Sequence, residues 1–169
     1  DTSTDTSSVA LSMGGEVVAE LTWRMGASHT VELVPSVDYL LRKIKATPQE
    51  LRAVFVARGP GSFNGLRVGM SAAKGFAFAL SIPIVGISTL EVEAYAFAHT
   101  GLPICAMHGA GRGELAVAFY QQADRWQCLK EEHLITPEAL CQQIERRTLF
   151  CGELSTHVIE VLKARLGEL

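Results

Sequence analysis

The chain has 169 residues, 48% of them hydrophobic and 20% charged, with a formal net charge of −3. That length holds one sizeable core or two small domains, and the slightly acidic balance excludes a broad, non-specific basic surface for nucleic acid. No apolar run approaches the roughly 20 residues of a membrane span and no signal segment opens the chain, so a cytoplasmic protein with no membrane partner is expected.

Asp1-Thr-Ser-Thr4 reads as a turn, and a strand is expected just before it. Val9, Leu11 and Met13 alternate with polar neighbours, Gly14-Gly15 supplies a turn, and Val17, Ala19, Leu21 and Trp23 alternate again. This is the pattern of a β-hairpin with one buried face. Leu33, Val34, Val37, Leu40, Leu41 and Ile44 recur at helical spacing, so residues 29–45 read as an amphipathic helix with a kink or late start at Pro35 and His29 at its cap. Thr47-Pro-Gln-Glu50 predicts a cap with proline at the first helical position, leading to a strand over 51–57. A helix over 65–80 and a strand over 82–87 follow, and Ser88-Thr-Leu-Glu91 predicts a capping box opening a helix to about Ala98.

Residues 99–103 read as a junction. Beyond it come a strand over 102–107, a turn over 109–113, strands over 115–120 and 126–134, a helix from Thr136 to Arg147, a short strand over 149–151, and a last helix from Ser155 to Leu166. Each half therefore reads as hairpin, helix, strand, helix, which predicts an α/β protein with two related mixed-sheet domains, 1–98 and 99–169. The four cysteines, at 105, 128, 141 and 151, form no C-x-x-C pair and predict reduced, mostly buried thiols.

The segment Arg58-Gly-Pro-Gly-Ser-Phe-Asn-Gly-Leu-Arg-Val-Gly69 sets a glycine turn between a strand and a helix. Gly59 and Gly61 allow backbone angles closed to other residues, and Ser62 is placed to cap the helix. Such a loop either holds an anion on helix N–H groups or simply turns tightly. The lysine and second glycine of a Walker A loop are missing, and asparagine stands at the third glycine of a dinucleotide fingerprint. Gly65, Gly69 and Ala73 fall four apart, with Ala72 beside them, and open a groove for either the protein's own sheet or a second helix. Leu33, Val37 and Leu40 on the first helix can share that surface. Arg58 and Arg67 flank the block, facing a phosphate, a partner's carboxylate or a loop-pinning ion pair. Asp1 and Glu114 stand at strand-to-turn corners, where they either hold magnesium together or serve turns. No two histidines have the helical spacing of a metal site, and G-x-S-x-G is absent, so no metal or nucleophile is expected.

Four motifs taken together resemble the TsaB (YeaZ) family of bacterial tRNA-modification subunits: Asp1-Thr-Ser-Thr4, Ser28-His29-Thr30 with Leu33 and Pro35, the block from Arg58 to Gly69, and Gly86-Ile-Ser-Thr-Leu90. Ala110-Gly-Arg-Gly-Glu114 resembles it more loosely. The resemblance implies the fold of actin, Hsp70 and sugar kinases, with a C-terminal domain that is short or truncated. It implies a non-catalytic scaffold that dimerises with the threonylcarbamoyltransferase TsaD, through Leu33, Val37, Leu40, Gly65, Gly69, Ala72 and Ala73, to form threonylcarbamoyladenosine at position 37 of tRNA. TsaE, an ATPase, would bind that pair, tRNA would be reached only through the complex, and the chain alone could form a homodimer.

A vestigial nucleotide or phosphate site would comprise Asp1, Thr2, Ser3, Arg58, Gly59, Gly61, Ser62, Arg112 and Glu114, with no cofactor beyond weak ATP or ADP with magnesium at a shared interface. Gly109 stands where the family usually has aspartate, which weakens that site. The reading from another class is a phosphotransferase or ATPase using Asp1 and Glu114. A metallopeptidase ranks below it, because no H-x-x-x-H pair is present.

Overall fold

The computed structural model describes residues 1–24 and 32–167. The chain divides into two units, Asp1–Ile87 and Ser88–Leu169, so the boundary falls before the helix that opens at residue 89 rather than after residue 98. That helix is held by apolar contacts of the second unit, since Leu90 and Ala94 are buried against Ile104, Ala106, Ala118 and Tyr120.

The first unit begins with β1 (Thr6–Met13) and β2 (Glu16–Arg24), an antiparallel hairpin turning at Gly14-Gly15. Both glycines have positive φ, the conformation a tight hairpin turn requires. Helix α1 spans Leu33–Lys43. The expected start at residue 29 and the His29 cap lie outside the described residues. Pro35 sits in the first turn, where its missing N–H has no intrahelical partner to lose, so the helix accommodates it. At Thr47 the expected cap forms, its backbone N–H donating to Glu50 Oε2 at 2.7 Å, but it opens only a single 3₁₀ turn, Pro48–Glu50.

Strand β3 (Val54–Ala57) and β4 (Ile84–Ile87) pair in parallel, joined by α2 (Phe63–Leu80). The strands are shorter than the apolar runs that announced them. The expected single mixed sheet is instead two two-stranded sheets, β1-β2 and β3-β4. The core of this unit is made by Leu33, Leu40 and Leu41 of α1, Val56 and Ala57 of β3, and Ala73 and Ala77 of α2.

The second unit carries one four-stranded mixed sheet in the order β7-β6-β5-β8, from β5 (Ile104–Gly111), β6 (Glu114–Gln122), β7 (Trp126–Ile135) and β8 (Leu149–Glu153). Its helices are α3 (Thr89–Tyr95), α4 (Pro137–Gln143) and α5 (Thr156–Leu166). The alternation of strand side chains divides β5 between two cores. Ile104 and Ala106 face α3, whereas Cys105 and Met107 join Leu140 of α4 and Val158 and Leu162 of α5 on the other face.

Thr136 and Ser155 cap their helices as expected, each hydroxyl accepting a backbone N–H three residues on. The capping box expected at Ser88 does not form. Its Glu91 instead accepts from Trp126 Nε1 at 3.2 Å, and Trp126 stacks on Tyr120 with centroids 5.4 Å apart. Among the described residues no helix is long and apolar enough to cross a membrane.

Candidate functional site

The glycine block folds as the turn from β3 into α2. Ser62 caps that helix, its Oγ accepting from Gly65 N–H at 3.3 Å. The opening residues Asp1 to Ser3 lie directly against it. Ser62 N–H donates to the Ser3 carbonyl at 2.7 Å, and Thr2 Oγ1–H donates to the Gly65 carbonyl at 2.8 Å. Thr2 and Ser3 are both buried.

This contact accounts for the spacing of the glycines. A Cβ at Gly61, where φ is +156, would overlap the Ser3 carbonyl oxygen. One at Gly65 would overlap the Thr2 carbonyl oxygen, and one at Gly69 the Thr2 hydroxyl. A methyl has no free space at these three places, so the glycines let the N-terminal turn pack closely on the loop and α2 within one unit.

Of the seven residues read as partner-facing, five are buried within the unit. Gly65, Gly69 and Ala73 form the buried stripe of α2, and Leu33 and Leu40 are buried in α1. Val37 and Ala72 are half-buried. The i, i+4 pattern of small residues is real, but the protein's own N-terminal turn and β3 fill it.

The free surface of α2 is its opposite face. Phe78 is 90% exposed, Phe63 is 73% exposed, and Ser71 and Gly75 lie open between them. A Cβ at Gly75 would meet nothing within 4 Å. Arg67 projects from the same helix, its guanidinium carbon 5.3 Å from the centroid of the Phe63 ring. On α1, Val34 and Tyr39 are exposed beside the Asp38–Arg42 ion pair at 2.8 Å. An exposed helix face with an aromatic ring at each end and small residues between them is suited to a helix–helix contact.

The residues read as a phosphate site are taken up by local structure. The Asp1 carboxylate Oδ1 accepts from Ser3 N–H at 2.7 Å and from Ser3 Oγ–H at 2.6 Å. The Ser62 hydroxyl is spent on the cap. Gly59, with φ +102, makes the turn, and the stem of Arg58 lies along Gly86. In the second unit Arg112 and Gly113 form the two-residue hairpin turn, both with positive φ, and Glu114 opens β6. Among the described residues no three His, Cys, Asp or Glu side chains gather so as to hold a metal ion.

Residues 12–156 match the family model described as TsaD: tRNA N6-adenosine threonylcarbamoyltransferase. Fold and match together define a protein of the machinery that makes threonylcarbamoyladenosine in tRNA. Within that class, the chain is 37% identical over 171 residues to the tRNA threonylcarbamoyladenosine biosynthesis protein TsaB of Bacillus subtilis, spanning 99% of this chain and 75% of that one. The TsaB of Escherichia coli is 33% identical, over 86% of this chain and 64% of its own length. The solved structure of YeaZ from Pseudomonas aeruginosa superposes with a TM-score of 0.75 at 27% identity, covering 89% of this chain and 72% of that one. The chain belongs to the TsaB family, with the fold of actin, Hsp70 and sugar kinases, and its role lies in tRNA threonylcarbamoyladenosine modification.

Proposed function

We propose that the chain is a non-catalytic scaffold that binds the threonylcarbamoyltransferase TsaD through the outward faces of α1 and α2, for modification at position 37 of tRNA. The observation that carries this reading is Phe78, 90% exposed in the last turns of an otherwise well-packed helix. A large aromatic ring left in water beside small residues is the kind of anchor that dominates binding energy once a partner covers it. TsaE joins the pair, and tRNA is met through the assembly, in keeping with the chain's net charge of −3. With no partner present, the same face is the one through which two copies would pair.

The chain alone is not expected to turn over nucleotide, with or without magnesium. Its Asp1 carboxylate is engaged by Ser3, and Gly109 offers no carboxylate at the second hairpin.

The test is calorimetric titration of a TsaD homologue with the chain and with Phe78→Asp. Loss of an anchor of this kind costs about 2 kcal/mol or more, roughly thirtyfold in affinity. Unchanged affinity in a folded Phe78→Asp protein would remove this face from the interface. Arginine at Gly69 or Ala73, attractive from sequence, tests the fold instead, because both positions are buried.

A further inference from the structure

Helix α2 exposes one line of residues at helical spacing: Phe63, Arg67, Ser71, Lys74, Gly75 and Phe78. Both of its charged residues, Arg67 and Lys74, lie on that line, and its 18 residues include no carboxylate. An exposed helix ordinarily sets opposite charges three or four positions apart, as Asp38 and Arg42 do on α1. On α2 every residue three or four positions from Arg67 or Lys74 is uncharged.

The rest of the fold does not supply the missing charge. Among the described residues the ion pairs are Asp38–Arg42 and His108–Glu153. Arg67 lies over the Phe63 ring instead, 5.3 Å from its centroid. The two cations stand two helical turns apart, about 10 Å along the axis. Between and beside them are Ser71 and Gly75, the small residues over which a second helix backbone can pass closely.

We propose that α2 docks an acidic helix, one that lies along it and carries carboxylates two turns apart to meet Arg67 and Lys74. This rests on the reading that a partner docks on this face, and it adds the chemistry which that partner must present. The same charges act against a second copy of the chain. Two α2 faces brought together about a two-fold axis set like charges against like, and α2 has no carboxylate to relieve them. The chain's net negative charge comes from residues 88–169, so the first unit has no acidic surplus for a second copy to turn toward α2.

Ionic strength separates the two pairings, because screening weakens the attraction of opposite charges and relieves the repulsion of like ones. As salt rises from about 0.05 to about 0.5 M, affinity for a TsaD homologue should fall, while self-association measured by sedimentation should tighten. An exposed ion pair is worth up to about fivefold in affinity, so the double variant Arg67→Gln with Lys74→Gln should bind about five- to twentyfold more weakly at low salt. It should respond little to added salt. A carbodiimide, which condenses an amine with an adjacent carboxylate to an amide and leaves as the urea, should join Lys74 to an aspartate or glutamate of the partner. Lys74→Arg should keep the affinity and lose that link.

Affinity indifferent to salt, a double variant that binds as tightly as the unaltered chain, or a Lys74 link to a second copy alone would each overturn the acidic helix. Weakened binding by Phe78→Asp would then show that docking on α2 stands without it. Undiminished binding by Phe78→Asp and by the double variant alike would remove the face itself. Thermal midpoints confirm that the variants are folded, and the cross-link in the unaltered chain decides without them.

Discussion

The Thr2 hydroxyl donates to the Gly65 carbonyl at 2.8 Å, across 63 positions of sequence, and ties the N-terminal turn to the first turn of α2. Thr2→Val keeps the shape and removes the donor. Because Thr2 is buried, the lost bond leaves the Gly65 carbonyl without that partner, at a cost of about 1–3 kcal/mol. Thr2→Ser should recover most of it. Urea unfolding of the three proteins measures the difference.

Gly65→Ala and Gly69→Ala should each destabilise by more than the gain of about 1 kcal/mol that alanine brings inside a helix. The added methyl has to displace backbone at Gly65 and the Thr2 side chain at Gly69, so the first should be the worse of the two. Thermal midpoints rank them directly. Equal or raised midpoints would mean that the N-terminal turn does not pack as described.

The glycine block thus illustrates what the sequence carried and what it did not. Gly59, Ser62 and the helix over 65–80 were legible because turn and cap chemistry is local, fixed by a few consecutive residues. The face of α2 that meets the outside was not, because a stripe of small residues looks the same whether the close neighbour is another subunit or the protein's own Thr2. Glu91 misled for the same reason: a capping box and a side chain bonded to Trp126, 35 positions on, begin from identical local sequence. The hairpins, whose periods are local, were found. The lengths of β3 and β4, which depend on neighbouring strands, were overestimated.

In the second unit, Leu90 is fully buried between α3 and the sheet. Leu90→Ala should cost about 2–5 kcal/mol, whereas Val92→Ala, on the exposed side of the same helix, should stay within about 0.5 kcal/mol. Denaturant midpoints at fixed slope separate the two. A small effect at Leu90 would argue that α3 does not belong with this core.

Thiol labelling offers a check on the sheet. Cys128 is exposed on β7, and Cys105 is buried on β5 with its thiol pushed far up by burial and, secondarily, by Cys151. Cys151 itself is pushed up to about 12 by burial and Glu93. Cys128 is also raised, chiefly by burial, so its reaction with a disulfide reagent should be slow at neutral pH and quicken as pH rises. Cys105 should react only as the unit unfolds, at a rate tracking urea concentration. Prompt labelling of Cys105 in the native protein would contradict the placement of β5.

Gly75→Ala separates stability from binding. The position is exposed, lies mid-helix, and has open space where the methyl would go, so alanine should raise stability by about 0.5–1 kcal/mol. If a partner helix crosses α2 close to its backbone here, that methyl holds the two apart, and affinity for a TsaD homologue should fall although the protein is more stable. Gly75→Leu should deepen the loss of affinity while leaving the fold intact. Calorimetric binding and thermal unfolding on the same samples give both values. Stability and affinity rising together would place the crossing elsewhere on the helix, nearer Phe63 or on α1 alone.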